Sequence, residues 1–202
     1  MKTKQILLYT ITLLLVEVLI YLWAAWTSTL ESSNFFAIEP AFIFDKAARN
    51  SGRISSAINL AMAVMLVYYG FSKIYANPKL KDRFRLLITL FAINHCTHFL
   101  FVYQNFSHHQ MNLSIGENLH GFITFIGLLT MPFIVWIFAK PNKILFSIIL
   151  INLLNQSYFI METFFNKIKP DKPAYHNQFG IYITALVLIM VVFKFIGELR
   201  KT

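Results

Sequence analysis

Residues 86–104 read LLITLFAINHCTHFLFVYQ, an apolar run long enough to cross a bilayer with Asn94, His95 and His98 inside it. About 20 helical residues cross a hydrocarbon core. No water is available there for backbone N–H and C=O groups, so such a run must be a helix that closes its own hydrogen bonds. Strand spans would be shorter and would alternate in polarity. Histidine in hydrocarbon is costly and by default marks a pathway, a cofactor or a helix–helix hydrogen bond. His95 and His98 are three apart and share one face of the helix.

Five more runs of this kind accompany it. The expected spans are 6–27, 54–75, 86–104, 119–139, 144–164 and 177–197. The expected fold is therefore all-α: a polytopic six-helix transmembrane bundle in a single integral membrane domain over residues 1–202. The composition agrees, because 57% of the residues are hydrophobic and 13% are charged, against about 25% charged in soluble domains. The same balance excludes a disordered chain, which would be polar and poor in aromatics. MKTKQ has the charges of a signal peptide, but the apolar stretch behind it is too long and lacks a clear small-x-small cleavage site. A retained first span is expected.

The net charge is +9, and the bases sit mainly in short loops between the apolar runs. There they set topology and face anionic headgroups rather than nucleic acid. With the N-terminus inside, inside segments hold twelve bases, among them Lys73, Lys79, Lys81, Arg83 and Arg85. Outside segments hold six, among them Lys46, Arg49 and Arg53. Both termini are expected in the cytoplasm. The longest break, 28–52, contains FFAIEPAFIF, expected to lie along the membrane surface. Asn77-Pro78, Pro141, Pro170 and Pro173 mark further breaks. The one cysteine, Cys96, allows no intrachain disulfide and no cysteine zinc cluster, and reads as a small apolar side chain.

Four groups of residues can carry chemistry. His98 lies about 9 Å below the outer end of its span at 1.5 Å per residue. His120 lies at similar depth across the hairpin, and His108 and His109 lie in the connecting loop. Facing imidazoles can ligate haem iron, copper or zinc, while His95 and Asn94 serve equally as hydrogen-bonding groups between helices. Glu17 is mid-span, where a carboxyl must find a partner or keep its proton. His95 and Asn152 are the expected partners. Asn152, Asn155 and Gln156 follow the i, i+3, i+4 rule and form one polar stripe, either lining a cavity or quinone pocket or packing against another helix. No hydrolase, Walker or histidine-box motif is present, so nothing points to hydrolysis or phosphoryl transfer.

Residues 51–103 carry Ser51-Gly52-Arg53, then Arg83 and Arg85, then His98 thirteen residues after Arg85, and then Tyr103. This pattern resembles the ferric reductase-like transmembrane family, in particular the haem-bearing membrane subunit of the periplasmic methionine sulfoxide reductase system. The resemblance implies a bacterial inner-membrane protein with His98 as a haem ligand and Arg53 and Arg85 on haem propionates, lipid or quinone headgroups. It also implies electron transfer with a redox partner. That family carries two histidines in its fifth span, and this chain has none there. The second axial place then falls to His120 or a loop histidine. Three readings stay open. The chain is a subunit binding haem b or a metal ion, or a relative without any cofactor. It is a small transporter or channel subunit using Glu17, His95 and the span-five amides. Or it is a non-catalytic assembly partner.

Overall fold

A computed structural model describes residues 3–31, 40–109, 119–138, 142–166, 168 and 175–200. Among them are seven helices and no strand: α1 (Thr3–Glu31), α2 (Pro40–Tyr69), α3 (Phe71–Ala76), α4 (Pro78–His108), α5 (Leu119–Ile137), α6 (Lys143–Phe165) and α7 (Tyr175–Leu199). All but α3 contain a stretch long and apolar enough to cross a membrane, six in all. The protein is all-α and an integral membrane protein. Many large apolar side chains point outward, such as Leu15 and Leu19 on α1 and Leu186 and Phe193 on α7, as contact with lipid requires.

The helices outrun the apolar runs that announced them. α2 begins at Pro40, fourteen residues before the expected start, so Pro40–Phe44 of the expected surface segment is helix. Proline suits a first helical position, where its missing N–H is not needed. The polar stretch after it is held in helix by pairs such as Arg49 donating to Asp45 one turn away. α4 begins at Pro78, eight residues before its apolar run, and the Asn77 side chain accepts hydrogen bonds from the Lys79 and Leu80 amides. Hydropathy marks the part of a helix that lies in lipid and says little of its polar ends. Residues 35–39, most of loop 105–118, and the breaks at Pro141, Pro170 and Pro173 lie outside the described residues.

The chain divides into two compact units, residues 1–55 with 90–119, and residues 56–89 with 120–202. Helices α2 and α4 contribute to both. In the first unit, aromatic rings join three helices. Tyr21 of α1 stacks on Phe101 of α4 with ring centres 6.2 Å apart, and meets Phe44 of α2 at 5.8 Å. Phe44 in turn stacks on His108 at the end of α4. Ala24, Ala47 and Ala48 are buried there, small residues that let membrane helices approach closely.

The second unit packs Leu66, Phe71, Ile74, Phe84, Leu145 and Val191 into its core. Its α2–α3 corner turns on Gly70, whose φ of +79° is open to glycine and strained for other residues. Glu198 of α7 closes that corner by accepting from both the backbone amide and the hydroxyl of Ser72, each at 3.0 Å.

Candidate functional site

The first unit holds a cluster of buried polar side chains on α1, α2 and α4. Its centre is Ser51, a serine 0% exposed. The Ser51 hydroxyl donates to Glu17 Oε1 at 3.1 Å. The Ser51 carbonyl accepts from the Asn94 side-chain amide at 3.1 Å. The same amide donates to Ser55 Oγ at 2.8 Å, and Ser55 Oγ lies 3.4 Å from His95 Nδ1. Glu17 is 2% exposed and Asn94 0%. A hydrogen-bonded path thus runs from a carboxyl group to an imidazole through two serines and an amide.

The path does not satisfy every atom. Glu17 Oε2 and Asn94 Oδ1 are buried and have no hydrogen-bond partner among the described residues. Both groups are tethered to Ser51, one through its hydroxyl and the other through its carbonyl. Buried oxygens of this kind cost about 1–3 kcal/mol each when left unmade. Unpartnered acceptors of this kind are satisfied by a proton, by a donor such as water, or by a cation. Glu17 has no ion pair with a base among the described residues.

His98 lies one turn beyond His95, with ring centres 5.3 Å apart. Its ring packs on the backbone of Gly52, where an added Cβ would stand 3.1 Å from His98 Cε1. Glycine gives the imidazole room for that approach to α2; with a Cβ there, the ring would have to shift by a few tenths of an ångström. Arg53 is exposed and donates to Asn50 Oδ1 of its own helix.

The remaining expected residues lie in the second unit. His120 Nε2 is 3.0 Å from Asn155 Oδ1, and its Nδ1 is 3.9 Å from Glu162. The Asn155 amide donates to Thr124 Oγ1 at 2.8 Å, and Gln156 donates to the Thr124 carbonyl at 2.7 Å. The span-five stripe is thus directed at α5, with Thr124 as its hub. Asn152 donates to the Ile148 carbonyl of its own helix. Arg85 is buried and donates to the Phe138 carbonyl at 3.1 Å.

A haem with two histidine ligands would need imidazoles on opposite faces of its iron. His95, one turn from His98 on the same helix, is not placed to supply the second. His120 belongs to the other unit, where Asn155 and Glu162 face its two nitrogens. Among the described residues no three His, Cys, Asp or Glu side chains group as metal ligands.

Glu17 was expected beside His95. Its direct partner is Ser51, and His95 is reached through Asn94 and Ser55. A serine in a helix carries little signal of this kind, because its hydroxyl usually returns to its own helix, as that of Thr12 does to Leu8. The signal was present nonetheless: Ser51, Ser55 and Asn59 stand at i, i+4 and i+8 of one helix face. Comparison with known families, with curated proteins and with solved structures finds no match.

Proposed function

We propose that this integral membrane protein binds a proton or a small monovalent cation inside the bilayer, at Glu17 and Asn94, as a small transporter or an ion-coupled subunit. One observation carries the reading: two buried acceptor oxygens, on a carboxyl and an amide, that no described donor reaches. A structural hydrogen bond between helices would use these atoms. A binding site leaves them for its ligand. Ionisable groups inside membrane segments are expensive and commonly serve such a pathway. His95 is the other titratable side chain of the cluster, joined to it through Ser55.

The test is uptake into proteoliposomes. The wild-type chain is expected to move protons, Na+ or K+ down an imposed gradient, and Glu17→Gln should abolish that movement without loss of folded protein. Equal movement by both proteins would overturn the reading. An absorption spectrum of the same preparation tests the haem expectation. A haem band that depends on His98 would support electron transfer instead.

A further inference from the structure

Away from that cluster, a second pair of buried polar groups in the other unit lacks partners of the opposite kind: both are donors. Arg85 is 8% exposed and Tyr75 4%. The Arg85 guanidinium lies 5.1 Å over the Trp136 ring and gives one hydrogen bond to Phe138. Trp136 is pinned beneath it, because its indole donates to Thr89 Oγ1, which in turn donates to the Arg85 carbonyl. Arg85 Nε and the Tyr75 hydroxyl have no hydrogen-bond partner among the described residues, and no carboxylate there pairs with Arg85. A buried guanidinium without a counter-charge is strongly unfavourable.

Position adds to chemistry. Arg85 is the last residue before the apolar run of α4, the depth at which headgroup phosphates lie. Lys79, Lys81 and Arg83 precede it on the same helix, whose first turn holds no acid to balance the positive end of the dipole. Nε–H lies on the side edge of the guanidinium, the edge that takes up an oxyanion.

We propose that Arg85 and Tyr75 form the recognition end of an anion site that takes a phosphate group, borne by a lipid headgroup or free in solution. Arg85 Nε–H and the Tyr75 O–H donate to its oxygens, and Trp136 holds the guanidinium in place.

The experiment follows thermal unfolding of the full chain in neutral detergent. Phosphatidylglycerol, inorganic phosphate and a phosphate-free galactolipid are titrated separately. Phosphatidylglycerol, phosphate or both should raise the melting temperature, and the galactolipid should not. A response to the lipid with none to inorganic phosphate assigns the headgroup. A response to inorganic phosphate assigns the free ion as a ligand. Arg85→Gln and Tyr75→Phe should each weaken the apparent affinity about tenfold, the effect of one hydrogen bond to a charged group. Tyr75→Phe removes one oxygen and keeps the ring contact with Phe146, so it stays informative if Arg85→Gln does not fold. The exposed pair Lys79→Gln and Arg83→Gln should cost much less. Equal stabilisation by the galactolipid, no response to either phosphate source, or an undiminished response in Tyr75→Phe would overturn the site.

Discussion

The polar residues joining α5 to α6 and those around Glu17 come from the same set: amides, hydroxyls, histidine and a carboxyl. At the α5–α6 seam the donors and acceptors face each other. Asn155 gives to Thr124 and pairs with His120, Gln156 gives to the Thr124 carbonyl, and Thr124 returns its own proton to the His120 carbonyl. None of these side chains leaves a buried atom unpartnered among the described residues. Around Ser51 the same kinds of groups leave two oxygens open. A closed network fixes one helix against another, whereas an open one of like polarity specifies what it will accept.

The contrast fails or sharpens under substitution. The largest effect should come from Glu17→Lys, which sets a fixed positive charge at mid-span. Such a residue costs about 3 kcal/mol on insertion scales, so the folded yield on size-exclusion chromatography should collapse. A normal yield would mean that Glu17 reaches water, and the cluster would lose its buried character.

At the closed seam, Thr124→Val keeps shape but removes the acceptor of Asn155 and the donor to His120. Interhelical hydrogen bonds in membranes are worth about 0.6 kcal/mol on average and at most about 1.7. The unfolding free energy should fall by an amount in that range. No change would show that the seam is held by apolar packing instead.

Tyr75 gives a check on the donor pair through pH. Burial pushes its hydroxyl up to about 12, against a smaller opposite pull from the Arg85 charge. The unfolded value is about 10. A group whose pKa is higher when folded adds stability that is complete below pH 10 and is lost as pH rises from 10 towards 12. Wild type should therefore lose stability in that window, and Tyr75→Phe should lose less. Parallel alkaline profiles would show that the hydroxyl is not buried.

The smallest effect should be Glu17→Gln on stability, below the roughly 0.6 kcal/mol that an interhelical hydrogen bond in a membrane is worth on average. The amide keeps an oxygen for the Ser51 hydroxyl. A loss as large as that of Glu17→Lys would mean that the carboxyl is structural.

Much of this was legible beforehand. Six apolar runs gave the helices, because lipid leaves the backbone no other solution. Glu17, Asn94 and His95 stood out because polar groups in hydrocarbon are costly. What could not be read was the pairing. Which face of α2 meets α1 and α4 depends on small residues such as Ala47 and Ser51, whose burial follows from close helix approach rather than from hydropathy. The polar starts of α2 and α4 were missed for the complementary reason, since they are helical without being apolar. Arg85 was expected at an anionic group, and its burial over Trp136 depends on α5, which nothing in the local sequence of α4 reveals.

The most direct measurement is infrared difference spectroscopy of the purified wild-type chain, taken as pH is varied and then as Na+ or K+ is added at fixed pH. A carboxyl band that responds to pH or to one of these cations, and that is missing in Glu17→Gln, is the expected result. Difference spectra identical in wild type and Glu17→Gln under all three conditions would contradict a ligand-binding role for Glu17.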